Sequence, residues 1–200
     1  FEEETPALVN LSCGDPLNET NRIYYLNNSV NSIGTCFNIV ADNVTLNCQG
    51  YNINGTGNGG SYGISINGFN DITVENCSIS NYEYGINLNA GLNNIITSNT
   101  LFQNSYGLVV RSVANHTTIM GNNISFGSND GIYLQSSNNY LGDNIAYNHT
   151  SGEGAGISLL SGGSNNTILN NTGFFNKYGI RLSDANNNNQ IINNTLNSNQ

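Results

Sequence analysis

Asn10, Asn18, Asn27, Asn43, Asn54, Asn76, Asn115, Asn123, Asn148, Asn165, Asn170 and Asn193 each open an Asn-x-Ser/Thr triplet, the acceptor pattern for N-linked glycans. Composition alone would give about seven such triplets, because 43 Asn are mixed with 20 Ser and 14 Thr in 200 residues. An acceptor works only when it is exposed, in a chain that meets a glycosylating enzyme. The remaining chemistry is sparse. General acid–base work needs two carboxyls about 5–10 Å apart. The carboxylates of the central and C-terminal region are Asp71, Glu75, Glu83, Asp130, Asp143, Glu153 and Asp184, scattered through turns rather than aligned. They offer no catalytic constellation, and the chain reads as a non-enzyme. His116 and His149 both sit inside Asn-His-Thr sequons, which predicts that both rings face solvent.

Four Cys, at 13, 36, 48 and 77, include no CxxC pair, so no zinc site and no other cofactor is expected. An even Cys count in an apparently secreted chain favours two disulfides. Three pairings are open; Cys13–Cys36 with Cys48–Cys77 is favoured, since 48 and 77 lie about one repeat plus a loop apart. A net charge of −9 with only four Lys and Arg excludes nucleic acid and anionic membranes as partners. No run of 18 apolar residues marks a transmembrane segment.

The elements that must carry these groups are visible as a repeat. Six segments follow the form Gly-aliphatic-x-aliphatic and begin at Gly63, Gly85, Gly107, Gly131, Gly156 and Gly179, spaced by 22, 22, 24, 25 and 23 residues. Apolar residues two apart line one face of a strand. A recurrent Asn follows each: Asn76, Asn99, Asn122, Asn144, Asn171 and Asn194. Short apolar positions flank these Asn, among them Ile72, Val74, Ile95, Ile119 before and Ile79, Leu101, Ile124, Ile145 after. One coil cannot bury its apolar face, but stacked coils can, each strand pairing with its copy above. The pattern predicts an all-β parallel β-helix of about seven coils over 37–200, with residues 1–36 as an N-terminal cap or docking segment. The recurrent Asn would stack as a ladder, which predicts Asn76 buried and bare and Asn170 and Asn193 outward. Asn115, Asn148 and Asn165 fall in turns. Tyr62, Tyr84, Tyr106 and Tyr178 precede the Gly as a partial aromatic stack, replaced at Asp130 and Ala155.

The Gly-Ile-x-Leu strands and recurrent Asn resemble those of right-handed parallel β-helix repeat proteins, the pectate-lyase-like superfamily with its NosD-like, carbohydrate-binding and sugar-hydrolase repeat domains. The segment Ala41-Asp42-Asn43-Val44-Thr45-Leu46-Asn47-Cys48-Gln49-Gly50 is similar to the opening coil of secreted archaeal and bacterial members. The resemblance implies a fold more than a function. Polygalacturonase-type members carry an Asp-Asp pair and a Gly-His-Gly, and neither occurs here. Lyase-type members pair calcium-binding acids with a basic residue; Arg111 and Arg181 are candidates for the base, read as lone surface residues. Met120 near His116 is similar to a copper donor pair of NosD-like proteins, but one His and one Met make no site. Outward positions Asn87, Asn89, Val109, Arg111, Tyr133, Gln135 and Arg181 would form a face able to hold a polysaccharide. The expected function is a structural, N-glycosylated extracellular or cell-surface protein. The repeat stops unfinished at Asn199-Gln200, so either more chain follows or another subunit docks there; head-to-tail docking with copies of itself would give a filament or layer. A polysaccharide-binding module or carbohydrate-active enzyme is the alternative.

Overall fold

Most strands of this chain are only three residues long, the majority with a single inward side chain. In a computed structural model that describes residues 10–160, 162–183 and 187–200, they stack into three parallel sheets of eight strands. Sheet I runs from Pro16–Leu17 through Phe37–Ile39, Tyr62–Asn67, Tyr84–Ala90, Tyr106–Val113, Ile132–Leu134 and Ala155–Leu159 to Tyr178–Leu182. Sheet II runs from Ile23–Tyr25 to Gln190–Ile192, and sheet III from Val30–Asn31 to Thr195–Asn197. Each coil contributes one strand to each sheet, in the order I, II, III. This is the right-handed parallel β-helix, with eight coils rather than about seven. The extra coil, Pro16 to Asn31, lacks the Gly-aliphatic signature and lies inside the segment expected to be a cap. Residues 1–9 of the expected cap or docking segment lie outside the described residues.

Register makes the core. Ile64, Ile86, Leu108, Ile132, Ile157 and Ile180 stand one above the other in sheet I, and Val74, Ile96, Ile119, Leu141 and Ile168 do so in sheet II. Nearly all are fully buried, each worth about 1.5–3 kcal/mol in removal from water. Two inward assignments slip by one residue. Ile96, not Ile95, points inward, and Ala146, not Ile145; Ile95 and Ile145 are exposed. In a three-residue strand such as Ile95–Thr97 two adjacent apolar residues give no alternation to fix the register.

The Gly column is a steric requirement. A Cβ on Gly107 would lie 2.6 Å from the Gly131 carbonyl oxygen and 2.3 Å from the Ile124 side chain, and Gly85 and Gly131 are closed in the same way. Most corners of the coil use one two-residue device: a residue in the left-handed region, then an inward residue that is usually polar. Between sheets II and III the left-handed positions include Asn76, Ser98, Asp143, Asn170 and Asn193, and the inward ones are Cys77, Asn99, Asn122, Asn144, Asn171 and Asn194. Asn122 shows the chemistry. Its Nδ2 donates to the Ile96 carbonyl at 2.9 Å and to Asn144 Oδ1 at 3.0 Å, while its Oδ1 accepts from the Asn99 backbone N–H at 3.0 Å. The other corners carry ladders too: Asn94, Thr117, Asn139, Asn166 and Asn189 between sheets I and II, and Asn104, His149, Asn176 and Asn199 between III and I. Three ladders stand where one was expected. The disulfides are Cys13–Cys36 and Cys48–Cys77; Cys77 holds a ladder position, and its N–H donates to Asn99 Oδ1 at 2.9 Å.

Candidate functional site on the face of sheet I

Sheet I has the longest strands, six, seven and eight residues in the coils from Tyr62, Tyr84 and Tyr106. Its outer face therefore offers a broad platform. The rings of Tyr62, Tyr84 and Tyr106 stack at centroid distances of 5.1 and 5.4 Å. Asp130 breaks the column, and Tyr133 instead meets Tyr106 edge-on at 5.7 Å. Burial raises the Tyr84 and Tyr106 phenols above the ordinary range, with Glu83 adding to the first and Asp130 to the second. These phenols therefore stay protonated as stacking surfaces and hydrogen-bond donors.

Of the expected face residues, Asn87, Tyr133 and Arg181 share one register column with Ser65, Val109 and Ser158. Arg111 and Gln135 follow Val110 and Leu134, which pair, and so project one position further along the same face. Arg111 lies 5.7 Å from the centre of the Tyr84 ring, and its Nε donates to Asn87 Oδ1 at 3.4 Å. Val109, although outward, is buried at the floor of a hollow of about 80 Å³ walled by Tyr84, Tyr106, Arg111 and Tyr133. A groove of about 350 Å³ adjoins it, lined by Tyr62, Ser65, Asn67, Asn87, Asn89 and Arg111.

The two arginines differ. Arg181 is not the lone surface residue expected. Its Nη2 reaches Asp130 Oδ2 at 3.3 Å and Ser158 Oγ at 3.0 Å, and its Nη1 lies 3.6 Å from Glu153. Asp130 is buried, which raises its carboxyl above the usual range, against the Ala155 N–H and the Arg181 charge. Lys177 donates to Glu153 at 2.6 Å, and this bond chiefly lowers the Glu153 carboxyl. Asp130 and Arg181 are 51 residues apart on non-adjacent coils, so the one-coil period gave no signal for their pairing. Arg22 pairs with Glu19. Among the described residues, Arg111 alone of the four Lys and Arg has no carboxylate partner.

The sequon residues Asn10, Asn18, Asn43, Asn123, Asn165, Asn170 and Asn193 are exposed, and Asn27, Asn54, Asn115 and Asn148 are half-buried. Asn76, expected in the ladder, is exposed at φ 54° while Cys77 turns inward. The Nδ2 of Asn27, Asn43 and Asn54 is held by Asn10, Asn21 and Asn31; that of Asn123, Asn148, Asn165, Asn170 and Asn193 makes no hydrogen bond among the described residues. The fold explains many of these triplets. Asn43, Asn76, Asn165, Asn170 and Asn193 are left-handed corner residues followed by one inward residue and then the Ser or Thr that opens the next strand. That is the size of the surplus over composition. His116 is exposed as expected, but His149 is buried: its Nδ1 and Nε2 lie 2.9 and 3.4 Å from the carbonyls of Asn129 and Ile124. It stands in for a ladder Asn, and burial lowers its imidazole below the ordinary value. Asp184 lies outside the described residues.

Stacked coils, inward polar ladders and a broad outer sheet define a parallel β-helix repeat protein. Residues 27–200 match the family described as periplasmic copper-binding protein (NosD), and the chain belongs to that family. Among solved structures it is similar to the A-module of mannuronan C-5 epimerase AlgE4 from Azotobacter vinelandii, at 14% identity and a TM-score of 0.57, covering 86% of this chain and 57% of that one. The likeness is one of fold, and this chain spans little more than half of that module. No curated protein matches. The two disulfides place the chain in an oxidising, extracytoplasmic compartment.

Proposed function

We propose that the chain is an extracytoplasmic β-helix module that binds an anionic polysaccharide along the outer face of sheet I. The observation that carries this reading is Arg111. It is oriented by Asn87 and Tyr84, it borders both hollows of the face, and it has no carboxylate partner among the described residues. A guanidinium placed this way is a site for a carboxylate or sulfate group, and the tyrosine stack beside it offers ring faces to sugar C–H groups. The carboxyls of Asp130 and Glu153 both face Arg181 and are taken up by it, and we propose binding without turnover. Affinity electrophoresis through polyuronate and neutral glucan gels tests this. Retardation by the polyuronate, weakened at least tenfold by Arg111→Ala and by Tyr106→Ala, is the expected result. Equal retention of Arg111→Ala and the parent chain would overturn it.

The family's description names copper. Copper sites use thiolate, thioether and imidazole donors. Here all four Cys are in disulfides, both His149 nitrogens face backbone carbonyls, and no group of three His, Cys, Asp or Glu stands ready among the described residues. The residues present do not fit the metal, and no role is assigned through it.

A second reading, a cell-surface glycoprotein, is favoured by one observation: no sequon Asn is fully buried. Glycopeptide mass spectrometry of material from a glycosylating host tests it. Modification at Asn123, Asn165 and Asn170 is expected, and a chain bare at every sequon would end the reading.

A further inference from the structure

The corner between sheets III and I carries a second row of aromatic rings, distinct from the tyrosine stack that opens the strands of sheet I. Phe102, Phe126, Tyr147, Phe174 and Phe175 follow one another at centroid distances of 5.5, 5.6, 4.7 and 5.5 Å. Phe102, Phe126 and Phe175 are exposed, each by 39% or more. Two of these rings sit where the backbone disfavours them. Phe126 and Phe175 have φ of 58° and 55°, the left-handed region that suits Asn and Gly and is unusual for a bulky side chain. The same corner in other coils holds Asn81, Gln103, Asn148 and Ser198. Strained, exposed aromatic residues in two coils point to an occupant that covers them.

The register names a candidate. Ser125, Tyr147 and Phe174 pair in successive coils, so Asn148 stands at the corner between Phe126 below and Phe175 above. Its backbone N–H donates to the Phe174 carbonyl, and its side-chain amide makes no hydrogen bond among the described residues. Asn148 opens the triplet Asn148-His149-Thr150, with Thr150 exposed. Unlike the five corner sequons above, its Thr opens no strand, so the repeat does not account for it.

We propose that Asn148 is an N-glycosylation site whose glycan folds back on the row, its first sugars lying between the rings of Phe126 and Phe175 and beside Tyr147. A pyranose shows a C–H face to an aromatic ring and hydroxyls at its rim, where Gln103 and neighbouring backbone supply polar partners. No Lys, Arg, Asp or Glu belongs to the row, as suits a neutral sugar. The proposal rests on the glycoprotein reading. The test uses the whole chain secreted from a glycosylating host, with glycopeptide mass spectrometry and ANS (an apolar dye) before and after enzymatic removal of N-glycans. The expected result is an occupied Asn148 and a several-fold rise in ANS fluorescence on deglycosylation. That rise should be absent from Asn148→Gln, which is bare throughout, and at least halved in Phe126→Gln/Phe175→Gln, which keeps the acceptor but not the rings. A bare Asn148 beside occupied Asn123, Asn165 or Asn170 overturns this proposal alone. A chain bare at every sequon overturns the glycoprotein reading with it. An occupied Asn148 whose removal leaves ANS binding unchanged shows that the sugar does not cover the row.

Discussion

At the scale of the residue, buried Asn does in this protein what a backbone alone cannot do at a sharp corner. Asn122 satisfies a carbonyl of the coil below and a backbone N–H beside it, and passes its second amide hydrogen to Asn144. Asn122→Ala strands these groups, at about 1–3 kcal/mol each; we expect a loss of about 3 kcal/mol or more in urea denaturation, and less than about 1 would refute the ladder's role. Asp130 gives the opposite sign. Burial raises its folded pKa above the unfolded value, so folding favours the protonated form. Its contribution is therefore most favourable below the usual Asp range and declines as pH rises through the folded value. Asp130→Asn keeps an acceptor for the Ala155 N–H and should remove that decline. Stability curves of parent and variant should differ in slope across the acidic range, and parallel curves would refute the assignment. His149 shows how a residue's role escapes a local reading. Its sequon suggested solvent, yet the imidazole lies against Gly127, where a Cβ would come within 2.8 Å of Nδ1.

At the scale of the element, the Gly-aliphatic-x-aliphatic strands were legible because one column tolerates no side chain and its neighbours must be apolar. Gly107→Ala tests that column directly. Its Cβ meets backbone, which cannot rotate away, and overpacking of this kind costs about 1–3 kcal/mol. A thermal midpoint lowered by several degrees is expected, and an unchanged one would show that the coils can slide apart. The other two ladders were hidden by substitution: Thr117, His149 and Tyr82 occupy positions that Asn holds elsewhere. The face of sheet I was legible as a set of outward positions. The salt bridge from Arg181 to Asp130 was not, because it skips a coil, and with it went the distinction between a neutralised arginine and the available one at Arg111.

At the scale of the molecule, the coils are joined mainly by contacts to their immediate neighbours, and the ladder bonds span 22 to 30 residues. Stability in such a stack is a sum over coils and their interfaces. The Cys48–Cys77 bridge closes a 29-residue separation across one interface, worth about 3–4 kcal/mol by loop entropy. Replacing both Cys by Ser should lower the denaturation midpoint and open the N-terminal coils first, seen as early loss of amide protection at Leu46 and Val74; uniform loss along the chain would contradict the additive picture.

Both disulfides join coils near the N-terminus, and each later coil pairs chiefly with the coils beside it. A chain threading out of a membrane pore with this end leading can therefore complete each turn on a finished one while the rest is still inside. The two early bridges would act as a pawl, so that growth of the stack resists backsliding and export and folding advance together.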